Sequence, residues 1–112
     1  MKELYTLHAE ICQTLANPKR LEILDVLRGG ERSVTELVRK LSLSKANISQ
    51  HLAILRLRGV VNARRQGLSV YYRVANPKII KACMLMREVL AEQLNDRARL
   101  TRQWDRTTRA GR

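Results

Sequence analysis

Three residues, Ser42-Leu43-Ser44, separate two runs of helical periodicity, and this short spacing constrains the fold more than any other feature of the chain. Upstream, Val34, Leu37, Val38 and Leu41 recur at helical spacing, and downstream Ile48, Leu52 and Leu55 do the same. Each run carries its own start signal. Ser33-Val34-Thr35-Glu36 is a capping box, in which a hydroxyl and a carboxylate satisfy backbone N–H groups of one turn, and Ser44 can cap the following helix. Two amphipathic helices joined by so short a turn form a helix-turn-helix, with Gly59 as the stop of the second.

The flanking segments extend this unit. Leu4, Leu7, Ile11 and Leu15 predict a first helix from about Lys2 to Ala16. Asn17 and Pro18 supply an N-cap and a first helical residue for a second helix, which places Leu21, Leu24 and Leu27 inward and stops at Gly29 and Gly30. After Gly59 the apolar period falls from about 3.6 to 2. Val61 and Ala63 alternate with Asn62 and Arg64, and Val70, Tyr72 and Val74 alternate with Tyr71 and Arg73. Gln66-Gly67 between these runs predicts a two-stranded hairpin tipped by Arg64, Arg65 and Gln66. Asn76 and Pro77 then start a last helix with Ile79, Ile80, Cys83, Leu90 and Leu94 on its apolar side. The fold class is mainly α with a β-hairpin, a winged helix-turn-helix. Residues 1–94 are expected to form this winged domain, and 95–112 a basic extension of the last helix.

Composition decides what such a fold meets. A chain of 112 residues supports one core, and with no Phe and 4% aromatics that core is built from Leu, Ile and Val. The 22 Lys and Arg against 10 Asp and Glu leave a charge of +12, a field that attracts polyanions. No apolar run reaches the roughly 18 residues of a membrane span. Glu3, His8 and Glu10 interrupt any signal-peptide core, so a cytoplasmic protein with no membrane partner is expected.

Polar residues on a surface helix are ordinarily a solvated face. Here Lys45, Asn47, Ser49 and Gln50 gather at the N-terminal end of the helix, where a recognition helix meets the major groove. They are short amide and hydroxyl groups suited to base edges, with one Lys, and a basic hairpin follows them. The expected partner is double-stranded DNA.

Leu15 to Val74 resembles the ArsR/SmtB family of small dimeric bacterial repressors. The resemblance rests on "LANPKRLEIL", "LSLSKANISQHL", the leucines before Gly59, and the wing "RRQG" followed by "YY". It covers most of the chain and fades after about Leu94. It implies a homodimer paired through the first and last helices, a two-fold symmetric operator, and release of DNA by an inducer of unknown identity. Base contacts in the family match Lys45, Ala46, Ser49 and Gln50, and backbone contacts from the wing match Arg64 and Arg65.

The family's metal sites do not carry over. Its Cys-x-Cys pair on the third helix falls on Ser33 and Thr35, which are not soft ligands. Its second site falls near Asn76, Lys78, Val89 and Glu92, where a tetrahedral zinc site needs about four ligands. His51 stands alone and is expected to be a half-buried helix residue. No metal, cofactor or catalytic group is expected: Cys12 and His8 are four residues apart with no third group to orient them.

Several alternatives stay open. A non-specific nucleoid or RNA-binding protein would use the charge and treat the helix-turn-helix as scaffold. The first and last helices carry more apolar surface than one small core can use, which favours pairing between copies. Cys12 and Cys83 lie on these two helices and admit three readings: packing residues, a redox switch that shifts the reading heads, or part of a metalloid site needing a third ligand. Persulfide-responsive members resemble a pattern with cysteines on the second and last helices, and this chain has Leu24 in the second. The basic tail is read as a polar extension or a DNA-contacting arm.

Overall fold

The computed structural model describes residues 1–110; Gly111 and Arg112, the end of the expected basic extension, lie outside the described residues. The order is α1 (Lys2–Leu15), α2 (Pro18–Leu27), β1 (Arg32–Ser33), α3 (Val34–Leu41), α4 (Lys45–Leu57), β2 (Val61–Gln66), β3 (Ser69–Val74) and α5 (Pro77–Ala110).

The helix starts form where side chains replace missing intrahelical acceptors. Asn17 Oδ1 accepts from the N–H groups of Lys19 at 2.9 Å and Arg20 at 3.1 Å, and Pro18 occupies a position where no N–H is needed. The capping box is present: Ser33 Oγ accepts from Glu36 N at 3.2 Å, and Glu36 Oε1 accepts from Ser33 N at 3.3 Å. Ser44 Oγ accepts from Asn47 N at 3.1 Å, and Asn76 Oδ1 from Lys78 N at 3.0 Å. Between α3 and α4 the chain reverses through Ser42 at φ +54°, a left-handed conformation that ends one helix and leaves Ser44 to begin the next.

Ile23, Leu24, Leu27, Leu37, Ile48 and Leu52 are buried in the core, with Leu55, Val60 and Val61 closing its wing side. Burial of each such side chain stabilises the fold by roughly 1.5–3 kcal/mol before entropy is subtracted. The stripe expected on α2 needs one correction: Ile23 is buried and Leu21 is exposed. This helix packs against α1, α3, α4 and β3. Two residues span about 200° of helix, so turning Ile23 toward those neighbours turns Leu21 outward.

The wing is a three-stranded antiparallel sheet in the order β1-β3-β2, rather than the expected two-stranded hairpin. Arg32 pairs with Tyr72 and Ser33 with Tyr71, so the residues that lead into α3 also close the free edge of β3. A strand of two residues has no period to read. The turn also lies further out than expected. Arg65 pairs with Val70 and Gln66 with Ser69, leaving Gly67, at φ +61°, and fully exposed Leu68 as the tip. At the base, Val60 N donates to Leu55 O at 2.8 Å and Ala75 N to Val60 O at 2.9 Å, tying the sheet to the end of α4.

Two polar contacts hold α1 to this unit. Arg20 Nε donates to Thr14 O at 2.6 Å, satisfying a carbonyl in the last turn of α1, and Arg58 meets Glu10 at 3.0 Å. The chain divides into Met1–Ile80 and the segment from Lys81 on. Within the first unit, Ile79 and Ile80 in the opening turn of α5 pack against the core. From Lys81 the segment continues as one helix to Ala110, so the basic extension is helical through the described residues. Leu85, Met86, Leu90, Leu94, Leu100 and Trp104 are exposed along it.

Candidate nucleic-acid interface

Helix α4 presents two faces of different chemistry. Ile48, Leu52 and Leu55 are buried, while Lys45, Ala46, Asn47, Ser49 and Gln50 are all exposed over its first two turns. Among the described residues, none of the four polar side chains in that group is used in a hydrogen bond or ion pair. The fold orients these groups through the buried face and leaves their donors and acceptors unspent. The helix N-terminus beside them adds partial positive charge, which favours a nearby phosphate. His51, next in the chain, is half-buried as expected. Burial lowers its pKa, with the Arg20 charge acting in the same direction, and its Nδ1 is buried without a hydrogen-bond partner among the described residues.

The wing arginines face opposite sides of the sheet. Arg64 lies on the outer face, where its guanidinium passes over the Tyr71 ring at 5.0 Å from the centroid and reaches Glu31 in the connection between α2 and β1. Nε donates to the Glu31 oxygens at 2.9 and 3.0 Å, and Nη2 donates to Oε1 at 2.6 Å. Nη1 donates to Gln66 Oε1 at 2.7 Å. The hydrogen bonds from Arg64 lower the pKa of the Glu31 carboxyl; desolvation opposes them, and the charges of Arg64 and Arg73 add further lowering. Arg64 is raised in turn by the same hydrogen bonds. Arg65 faces the other way, into an open cleft of about 270 Å³ between the sheet and α4 that is lined by Arg56, Ala63, Arg64, Arg65 and Val70.

The structure thus groups Lys45, Ala46, Asn47, Ser49 and Gln50 on one exposed surface, pairs Arg64 with Glu31, and leaves Arg65 without an acidic partner among the described residues. Sequence reasoning missed Glu31 and Arg56. Glu31 is a lone acid 33 residues from its partner, and Arg56 stands in the last turn of α4 with no local signal to single it out. Cys12 is exposed and Cys83 half-buried, both as free thiols. Among the described residues, no group of three or more His, Cys, Asp or Glu side chains is placed to hold a metal ion. None of the described helices is long and apolar enough to cross a membrane.

Residues 17–63 match the family model described as bacterial regulatory protein, arsR family. The chain is 45% identical over 95 residues to the uncharacterized HTH-type transcriptional regulator Rv0081 of Mycobacterium tuberculosis, covering 84% of this chain and 83% of the relative. The crystal structure of Rv0081 superposes with a TM-score of 0.78 over 85% of this chain and 96% of that one. A solution structure of a homodimeric winged helix-turn-helix DNA-binding domain from Mycobacterium bovis is 34% identical, with a TM-score of 0.77 over 83% of this chain and 86% of that one. The transcriptional repressor PagR of Bacillus anthracis is 39% identical over 72 residues, 63% of this chain and 72% of the relative.

Proposed function

Since this chain belongs to the ArsR family of bacterial transcriptional regulators, we propose that it is a repressor that binds a two-fold symmetric operator as a homodimer. The observation that carries this reading is the set of unspent polar groups at the start of α4, opposite a buried face that fixes their direction. Lys45, Ala46, Asn47, Ser49 and Gln50 read base edges in the major groove. Backbone contact at the wing falls to Arg65, while Arg64 is engaged with Glu31.

Dimerisation is supported by the uncovered apolar side chains of α1 and α5, Leu4, Leu7, Leu90 and Leu94 among them. The homodimeric relative from Mycobacterium bovis supports it independently. Residues 1–94 carry DNA binding and pairing in this reading. The basic helix beyond them adds sequence-independent attraction, so its deletion lowers affinity for all duplexes alike. Repression follows from occupancy of the operator, as the name of the relative PagR supports. Release falls to an inducer, and oxidation of Cys12 and Cys83 is one route to it. Oxidation at exposed Cys12 would alter a helix that this reading places at the dimer interface, and with it the spacing of the two reading heads.

Selection of bound fragments from random duplex DNA tests the reading. Enrichment of an inverted repeat is the expected result. Retention of fragments without any shared motif, with binding lost steeply as salt rises, would replace it with a non-specific polyanion binder.

A further inference from the structure

The two neighbouring wing arginines, assigned alike from the sequence, occupy different chemical situations. Arg64 has already spent its guanidinium. Nε and Nη2 fork onto Glu31, Nη1 is on Gln66, and its flat face covers Tyr71. A DNA phosphate could take this group only by displacing a carboxylate that already binds it through two nitrogens, leaving Glu31 unpaired beside the incoming anion. Such an exchange releases no net counterion, because the Arg64–Glu31 pair is neutral before DNA arrives. Arg65 and Arg56 are in the opposite state. Both are exposed, neither meets an acidic partner among the described residues, and both line one cleft together with Ala63, Arg64 and Val70; of the three arginines there, Arg64 alone is paired, with Glu31. Two guanidinium groups around a common cleft repel each other unless an anion lies between them, and the apolar wall strengthens the field that such an anion would feel.

We infer that the Arg56–Arg65 cleft is a binding site for a phosphodiester of the DNA backbone, and that Arg64 is a positioning residue which straps the wing to the α2–β1 connection through Glu31. This inference rests on the DNA-binding reading and adds to it a site made by α4 and the wing together. Arg56 enters the interface from the end of the reading helix that faces away from the bases. The Glu31 strap sets where Arg65 stands relative to it. Arg65 is adjacent to Arg64 on β2, so a wing freed from Glu31 would carry Arg65 away from Arg56.

The test is equilibrium binding of the full chain to a mixed-sequence duplex of about 30 base pairs across a salt series, with thermal unfolding to confirm that each variant folds. Arg56→Ala and Arg65→Ala each reduce the salt slope by about 0.9 per protomer, or about 1.8 for the dimer, the loss of one phosphate contact on each half. Arg64→Ala weakens binding about fivefold, through the displaced wing, while leaving the slope near that of the unaltered protein. The charge-exchanged pair Glu31→Arg with Arg64→Glu restores affinity to within about twofold, because the strap is rebuilt with its polarity reversed. A phosphate contact at position 64 could not be restored this way. A second measurement follows the arginine Nε–H signals by NMR as duplex is added: those of Arg56 and Arg65 shift, and that of Arg64 stays in place.

A slope lowered by Arg64→Ala as much as by Arg65→Ala would overturn the strap, as would failure of a folded exchanged pair to bind. Unchanged slopes for both Arg56→Ala and Arg65→Ala would overturn the cleft while leaving the DNA-binding reading intact. Absence of duplex binding by the unaltered protein would overturn that reading and the inference with it.

Discussion

Helices α2, α3 and α4 and the terminal helices use the same residue type in opposite ways. Leu24, Leu37, Leu52 and Leu55 are at most 1% exposed, whereas Leu4 and Leu7 of α1 are each 59% exposed and Leu90 and Leu94 of α5 each 52%. The leucines of both regions fall at helical spacing, so periodicity alone does not distinguish them. The difference teaches that an apolar stripe identifies a face to be covered without saying by what. The inner helices cover theirs within one chain, and the outer helices leave theirs for another surface, which the proposed dimer supplies.

The largest effects belong to the inner region. Leu52→Ala removes a fully buried side chain from the junction of the helix core and is expected to cost about 2–5 kcal/mol, read from the midpoint of urea unfolding. A cost below about 1 kcal/mol would mean that this core is no tighter than the outer helices, and the contrast would fail. Leu7→Glu combined with Leu90→Glu addresses the other side. The chain should remain folded by circular dichroism, while its dimer dissociation constant rises by about 100-fold, or roughly 2.7 kcal/mol, in sedimentation at micromolar concentration. Loss of the fold in place of loss of the dimer would show that these leucines serve the single chain.

On the reading surface, Gln50→Ala should cost about 1–3 kcal/mol on the selected operator and relax preference at one position of each half-site. It should leave stability unchanged, because the side chain is exposed and makes no hydrogen bond or ion pair among the described residues. Asn17→Ala removes the cap of α2 and should cost about 1 kcal/mol of stability with no effect on sequence preference. Together these variants separate residues that hold α4 in place from residues that α4 displays.

The smallest effect is on pH dependence. Burial lowers the pKa of His51, so between its folded value and the unfolded value of about 6.5 the unfolded chain binds more protons. The stabilisation associated with neutral His51 is therefore complete above about pH 6.5 and declines as pH falls through the lowered folded value. His51→Gln should flatten this part of the stability profile, measured by thermal unfolding from pH 7 down to about 5. A profile unchanged by the substitution would show that the unpartnered Nδ1 has no energetic consequence.

The features legible in the sequence are those whose causes lie within a few residues. Asn17, Ser33 with Glu36, Ser44 and Asn76 start helices through bonds to residues two or three positions away, so the element starts could be read directly. The exposed cluster on α4 was legible for the same reason: Ile48, Leu52 and Leu55 define one side of a helix and assign Lys45, Asn47, Ser49 and Gln50 to the other. The third strand was not legible, because two residues of β1 become a strand only when β3 arrives beside them.

The two wing arginines mark the boundary between these kinds of information. Alternation along β2 is a local property, so the sequence by itself determined that Arg64 and Arg65 face opposite sides of a strand. Only the tertiary structure decided which side holds a carboxylate and which holds a second arginine. Glu31 reaches Arg64 across a sequence separation of 33, and Arg56 meets the cleft of Arg65 because α4 packs beside β2. The electrostatic meaning of a charged side chain depends on the charges within a few ångströms of it, and those neighbours are set by packing rather than by position in the chain. The apolar faces of α1 and α5 obey the same division. Their existence is written in the spacing of leucines, and their being uncovered is a consequence of where the core of one chain ends.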